Sequence, residues 1–489
     1  MDISQLRTEV LQGRLPVEQL LEVLDKQQQT IHRLEATVQR LTQRLAQYEP
    51  EVRREAPAAP GPPPASYSLD AEAKRRRGRR RRKRSPGRRP TKVKFAEAQR
   101  REDIYPEGVR RDDCHLVRER AVWRLVEGRA VLVGYRLFAG PGAPEPRIPG
   151  VTPRCEYGLE ILVVLAFLVY IIGLSLDKAC AVLGFFCRLP LSKSQADALL
   201  RQLAQHWDGE FDLLCALLAR AAVVGLDETG WRIGGAGCSL WAFASQAQRV
   251  FLFGCHKDGA TLDQILPPDV FEGVGVSDDA AVYQGRFAQA QKCWAHLLRK
   301  AIRLALLYPR RPKYRRFLDQ LLALYADAKR AAADGRLGEV GRKRRVAELE
   351  GRLCKLCQPY ARETPADLSP PERDFTNLAN ELIRLVLAEE LFTFVLRPEV
   401  EPTNNALERL LRSPALDRKA GRTNQTAAGA PRRSVIVSVL ESLRANLEAF
   451  DLDSVLEEVS RWMKEGISLF ARQWQAWLGT QTAAAPNTS

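Results

Sequence analysis

The sequence predicts a mixed α/β protein (α+β in arrangement), with one strand-rich segment set among long helical stretches. Two observations carry this. Helical periodicity runs through residues 157–208, and residues 297–397 are rich in Leu, Ala, Arg and Glu and read as helical too. From residue 221 the period changes. AAVVGLDETGW, SLWAFAS and RVFLFGC read as three strands with short connections, residues 259–266 as a helix, and GVGVSDD as a further strand. A meander, a helix and another strand imply a sheet layered against helices. The next segment, KCWAHLL, is a fifth strand or the start of a helix.

A chain of 489 residues is long for one core and suggests two to four modules. The net charge of +16 points to a polyanionic partner. Residues 74–94 hold 14 Lys and Arg and no acid, so removing them leaves +2 for everything else. The excess is one detachable segment. No signal peptide opens the chain. The most apolar run, Ile161 to Ile172, has twelve residues, short of the roughly twenty a membrane span needs. It is expected to be a buried helix, with no membrane partner. Cys354 and Cys357 form a lone CxxC in a helical stretch. Tetrahedral zinc needs four ligands, so reduced thiols in a cytoplasmic protein are expected.

Residues 1–50 carry a narrow seam: Leu20, Leu24, Gln27, Ile31, Leu34, Val38, Leu41, Leu45 and Tyr48 alternate spacings of four and three. That is a coiled-coil pattern favouring a homodimer or higher oligomer. Residues 51–110 are expected to be a disordered linker, first Pro-rich, then strongly basic. Lys74, Arg75, Arg76, Arg77, Arg79, Arg80, Arg81, Arg82, Lys83 and Arg84 repel one another and should order only on phosphate. A solvated tail is the plainer reading of that run. Residues 111–155 suggest a small β-hairpin region. Residues 156–220 suggest a helical, helix-turn-helix-like unit, with Ser192 and Gln195 as a capping box. Ala196, Leu199, Leu200 and Leu203 would face inward; Lys193 and Arg201 would face DNA.

Asp227 and Asp278 end two apolar segments. A strand has no use for a terminal carboxylate in its own packing, and two at one end of one sheet repel. Divalent metal relieves that repulsion. Two ions roughly 4 Å apart activate an attacking oxygen and stabilise a leaving one in phosphodiester chemistry. Oxygen ligands suit Mg²⁺ or Mn²⁺. Spacing alone does not select a third acid.

The blocks LDETGWR (226–232), SDDAAVYQG (277–285), QKCWAHLLRK (291–300) and EPTNNALERLLR (401–412), in that order, closely resemble the IS66-family transposases. The resemblance covers about 155 to 450. It implies a ribonuclease-H-like catalytic core of the DDE group, with a first part at 221–301, a helical insertion at 302–397 and a C-terminal part at 398–450. Residues 451–489 would be a C-terminal helix whose last eleven residues are disordered. It further implies a metal-holding triad of Asp227, Asp278 and Glu408, which would use two Mg²⁺ or Mn²⁺ ions to cut double-stranded DNA at element ends and join it to target DNA. Tyr283 selects Asp278 over its neighbour Asp279, because the family acid lies five residues before a tyrosine. Alternatively, Asp227 is a strand-end turn residue and Glu408 a surface acid paired with Arg412.

Asp279 and His296 are expected to support the site. Cys293 and His296 make a C-x-x-H pair with no second ligand pair for zinc. Lys292 and Arg299 are phosphate contacts or ordinary surface charge. The resemblance also suggests accessory transposition proteins and a bacterial, nucleoid-associated location. Many IS66-type proteins carry paired CxxC motifs before the helical domain; this chain has only Cys114 and Cys155 near there, so no zinc finger is expected. A catalytically idle DNA-binding regulator, or a nuclease without strand transfer, stands as the alternative function.

Overall fold

The computed structural model describes residues 89–234, 236–362 and 368–484. The heptad seam, the Pro-rich stretch and the basic run 74–84 lie outside them.

Residues 89–110, expected to be linker, fold in part. Thr91–Ala96 is a short helix (α1) and Arg100–Ile104 a strand (β1). β1 lies parallel to Arg129–Ala139 (β3), which pairs antiparallel with His115–Val126 (β2). The charged RREDI of β1 has no alternation to betray a strand. Its order comes from tertiary partners: the β3 ladder, the Arg136–Asp103 pair at 2.6 and 2.8 Å, and Phe95 of α1. That ring lies so close to Gly134 that a Cβ there would stand 2.8 Å from it. The β2–β3 hairpin turns on Glu127 and Gly128, both at positive φ (49° and 75°), the two-residue turn that matches strand twist.

Leu159–Ala166 (α2) runs into a wider π turn, Phe167–Ile171, and the helix breaks before Gly173. Gly173 has φ 76°, and a Cβ there would meet Asp417 Oδ1 at 2.2 Å, so this position requires glycine twice over. Leu176–Cys187 (α3), Lys193–His206 (α4) and Asp208–Leu218 (α5) follow. The Ser192–Gln195 capping box opens α4, and Ala196, Leu199, Leu200 and Leu203 are buried.

Val223–Ile233 (β4), Ala236–Ala244 (β5) and Arg249–Cys255 (β6) form an antiparallel meander. A short helix, Gly259–Asp263 (α6), leads to Val274–Ser277 (β7) and Gln289–Lys292 (β8). The five-stranded order is β6-β5-β4-β7-β8, with β7 parallel to β4 and β8 parallel to β7. KCWAHLL divides: β8 ends at Lys292 and helix Trp294–Leu307 (α7) begins two residues later.

Helices Pro312–Ala333 (α8), Glu339–Cys357 (α9), Pro370–Leu387 (α10) and Thr393–Leu396 (α11) continue the insertion. They share a core with Val274 and Val276 of β7, centred on Trp294, Leu321, Leu349, Leu382 and Phe392. A second core joins β4–β6 to the helices on either side of them in sequence. Cys354 and Cys357 lie on α9 without a disulfide, and burial pushes the Cys357 thiol up to about 12.

Among the described residues four helices follow: Asn405–Lys419 (α12), Gly429–Asn446 (α13), Leu452–Glu465 (α14) and Leu469–Ala484 (α15). The tail expected to be disordered from residue 479 is helical to Ala484. Trp474 and Trp477 stack at 5.2 Å, and Arg220 lies over both rings at 4.9 and 5.0 Å, which ties α15 down.

Edge strand β6 has its N–H groups answered by serines of α13. Ser434, Ser438 and Ser442, spaced by four on one helix face, accept from the backbone N–H of Phe253 (3.0 Å), Phe251 (2.8 Å) and Arg249 (2.9 Å). A helix thus seals the edge without a sixth strand. Ser438→Ala strands the buried Phe251 N–H and should cost about 1–3 kcal/mol, read as a lower denaturant midpoint with an unchanged slope.

Candidate active site

β4 and β7 run parallel, with Gly225 opposite Val276 as the last registered pair. Asp227 and Asp278 each stand two residues further on, so adjacent strands bring the two carboxylates close: Asp278 just past the end of β7, and Asp227 within β4, which runs on to Ile233 rather than closing at the acid as its apolar run suggested. Asp227 is half-buried. Burial first, then the Glu228 and Asp278 carboxylates, push it up to about 7. Among the described residues its Oδ1 accepts only its neighbour's backbone N–H, at 2.9 Å. Asp278 Oδ1 accepts the Ala280 N–H at 3.0 Å, which fixes the turn leaving β7.

Asp279 points elsewhere. It pairs with Arg384 of α10, near Glu381 on the same helix. Burial, only partly offset by Lys300, raises Glu381 above the usual carboxylate range, and Asp279 adds to the rise. A cavity of about 220 Å³ lies between Asp278, Asp279, Lys292, His296, Lys300 and Glu381.

Glu408 occupies the first turn of α12. Asn404, just before that helix, is buried. Its Nδ2 donates to the Leu226 carbonyl at 2.9 Å, and its N–H donates to Cys293 Sγ at 3.2 Å. One side chain therefore pins the start of α12 to the residue preceding Asp227. The Glu408 carboxylate is held by Arg299 of α7, whose Nη2 donates to both oxygens at 3.1 and 3.0 Å. His296 Nε2 lies 3.7 Å away. Burial pushes the Cys293 thiol up, but the facing His296 and the Asn404 N–H together outweigh it and the net shift is down. His296 is raised, chiefly by that thiol; its buried Nδ1 nonetheless lacks a hydrogen bond of good geometry.

Among the described residues, the group of three possible metal ligands with donor atoms within 4.8 Å is Cys293, His296 and Glu408. Asp227, Asp278 and Glu408 do not close to that distance. The C-x-x-H pair thus has a third neighbour that its spacing did not reveal. That neighbour's oxygens are already engaged by Arg299, and the thiol by the Asn404 N–H. The fit to a hard divalent cation is better at the two aspartates. Both are oxygen donors, and the crowding that raises Asp227 is what a cation relieves.

The cationic residues expected to meet DNA fall into three classes. Lys193 and Arg201 are exposed on α4, paired with Asp177 at 2.9 Å and Asp197 at 2.8 Å. Asp197 also accepts from Arg432 of α13 at 2.7 Å, so that side of α4 is partly covered. Arg299 is half-exposed on Glu408. Lys292, expected as a phosphate contact or surface charge, is 1% exposed. Its ammonium donates to Ser277 Oγ at 3.2 Å, and burial holds it below its ordinary range. Lysine as a residue type reads as surface; here β8 is an interior position between β7 and the insertion.

Several residues of this region carried no assigned role in the sequence. Glu228 accepts from Tyr283 and Lys257. Burial, then Glu228, pushes the Tyr283 phenol far up. Asn404 sits within the NNALER block, which was its only signal.

Residues 154–432, more than half of the chain, match the family described as Transposase IS66 family. The chain belongs to that family. Asp227, Asp278 and Glu408 all lie within the part that matches the IS66 transposases, as do Asn404 and Arg299. No curated protein matches the sequence. Among solved structures, the Drosophila P element transposase strand transfer complex is similar at 10% identity, over 61% of this chain and 94% of that one, with a TM-score of 0.31. No helix among the described residues of this IS66-family chain is long and apolar enough to cross a membrane.

Proposed function

We propose that this IS66-family chain is a DNA transposase that cuts element ends and joins them to target DNA through Asp227, Asp278 and Glu408. The observation that carries this is the placing of Asp227 and Asp278 near each other on adjacent parallel strands, where burial and neighbouring carboxylates push Asp227 up to about 7. A ribonuclease-H-like core is the matching fold. It is supported by an antiparallel meander extended by two parallel strands in the order β6-β5-β4-β7-β8.

The three carboxylates would hold two Mg²⁺ or Mn²⁺ ions, which supply activation of water for cleavage and of a DNA 3′-hydroxyl for joining. The chain's own residues do the positioning. β4 and β7 set the two aspartates side by side. Asn404 locks the root of α12, which carries Glu408, to β4. Glu228, held by Lys257 and Tyr283, stiffens the strand beside Asp227. The exposed Lys193 and Arg201, with the basic run 74–84, would supply sequence-independent phosphate contacts. Assembly as a dimer or higher oligomer, accessory proteins and a nucleoid location belong to the same proposal.

One observation favours a second reading. Glu408 is held by Arg299 rather than gathered with the aspartates, as a catalytically idle DNA-binding relative would keep it. A labelled DNA carrying the element's ends, incubated with Mg²⁺ and cell extract, separates the two. Wild type is expected to give nicked and joined products and Asp278→Ala none, while Asp279→Ala retains cutting. Cutting without joining would favour a nuclease. Binding without cutting, in Mn²⁺ as well, would favour the regulator.

A further inference from the structure

We propose that Arg299 senses bound DNA and governs the third acid: it holds Glu408 away from the two aspartates until a DNA phosphate takes its guanidinium. This rests on the metal-carboxylate reading above and adds what triggers assembly of that site.

The geometry has three parts. Arg299 spends a single nitrogen, Nη2, on both Glu408 oxygens, at 3.1 and 3.0 Å. Among the described residues its Nε and Nη1 make no hydrogen bond and are open to a second anion. The Arg299 side chain is 52% exposed and that of Glu408 27%, so a phosphate can reach the pair and solvent weakens it. Guanidinium bonds phosphate in the same two-pronged way as carboxylate, and a DNA strand offers a dense row of phosphates that favours the exchange. The pair is thus a weak hold that the proposed substrate competes for directly.

What Arg299 releases is also constrained. Asn404 fixes the backbone at the start of α12 to Leu226 and to Cys293. The backbone that carries Glu408 is thus tethered, and what a phosphate would free at Arg299 is the Glu408 side chain. His296 Nε2 lies 3.7 Å from Glu408. Arg299 is in this sense a positioning residue, acting through Glu408.

Mn²⁺ binding to the full-length protein, followed by the electron-spin signal of free Mn²⁺, tests this without relying on turnover. Without DNA, Arg299→Gln should bind Mn²⁺ about two- to fivefold more tightly than wild type, the weight of a half-exposed ion pair. Adding a short duplex, its own Mn²⁺ uptake subtracted, should tighten wild type toward the variant and leave the variant unchanged. Arg299→Lys should lie between them. Thermal unfolding confirms that each variant is folded. Equal DNA-free affinities for wild type and Arg299→Gln, with binding lost in Asp227→Asn, would overturn the proposal and leave the metal-carboxylate reading standing. Binding unchanged in both Asp227→Asn and Glu408→Gln would overturn that reading and this proposal with it.

Discussion

Asp227→Asn is expected to leave the protein folded and able to bind DNA, to lose strand cutting by more than about 10³-fold, and to gain stability at alkaline pH. Loss of an outer-shell partner costs a metal site roughly 10–100-fold, and a direct carboxylate ligand should cost more. The stability gain follows from linkage. Burial, then Glu228 and Asp278, push Asp227 up to about 7 in the folded chain, against about 3.9 unfolded. Between those values the folded state holds a proton that the unfolded state has released. Stability therefore falls as pH rises from about 4 to 7 and stays reduced above that.

Asparagine mimics the protonated form and escapes the penalty. At pH 8 the metal-free variant should exceed wild type by about 1–3 kcal/mol, a margin discounted from the full shift for relaxation and water entry. The margin should vanish near pH 4. Mg²⁺ should raise the melting temperature of wild type and not of the variant. A variant no more stable than wild type at pH 8 would mean that Asp227 is not crowded as described. Stability sacrificed to gather charge is the usual mark of a working site.

Asp417→Ala should be the most destabilising single change in the buried scaffold, by about 3–5 kcal/mol. Asp417 and Arg433 pair with both side chains 7% exposed. The guanidinium also lies over the rings of Tyr170, Trp231 and Phe253, at 5.7, 4.9 and 5.0 Å. Its Nη1 donates to the Arg422 carbonyl at 3.2 Å, and Trp231 Nε1 donates to Asn424 at 2.9 Å. This cluster fastens α12, which carries Glu408, to α13 and to β4, which carries Asp227. Removing the carboxylate leaves a buried cation among aromatic faces that replace only part of its solvation. The measurement is chemical denaturation of Asp417→Ala beside the double change Asp417→Leu with Arg433→Met. The double variant should lie close to wild type, because the penalty comes from the stranded charge rather than from the lost pair. Equal losses in both would refute this account.

The part of the molecule legible in its sequence is the part governed by local rules. Apolar runs followed by acids marked β4 and β7, although β4 runs on past Asp227 to Ile233 because β5 pairs with it there. The Ser192–Gln195 box marked the start of α4. The period of the apolar residues separated helical stretches from strands. Glu408 was different: an acid four residues before an arginine on a helix is locally unremarkable, and only the resemblance of the NNALER block singled it out. Tertiary structure alone decided the rest, because those decisions depend on partners far away in the chain. Arg299 meets Glu408 across 109 residues. Lys292 is interior because β8 lies between β7 and the insertion. The charged RREDI became a strand because β3 offered it an edge. The helix at 479–484 persists because Trp474 and Trp477 lie against Arg220. Periodicity and terminal chemistry are properties of a segment and survive without its neighbours. Burial of a charge, and the choice of its counter-ion, are properties of the packed whole.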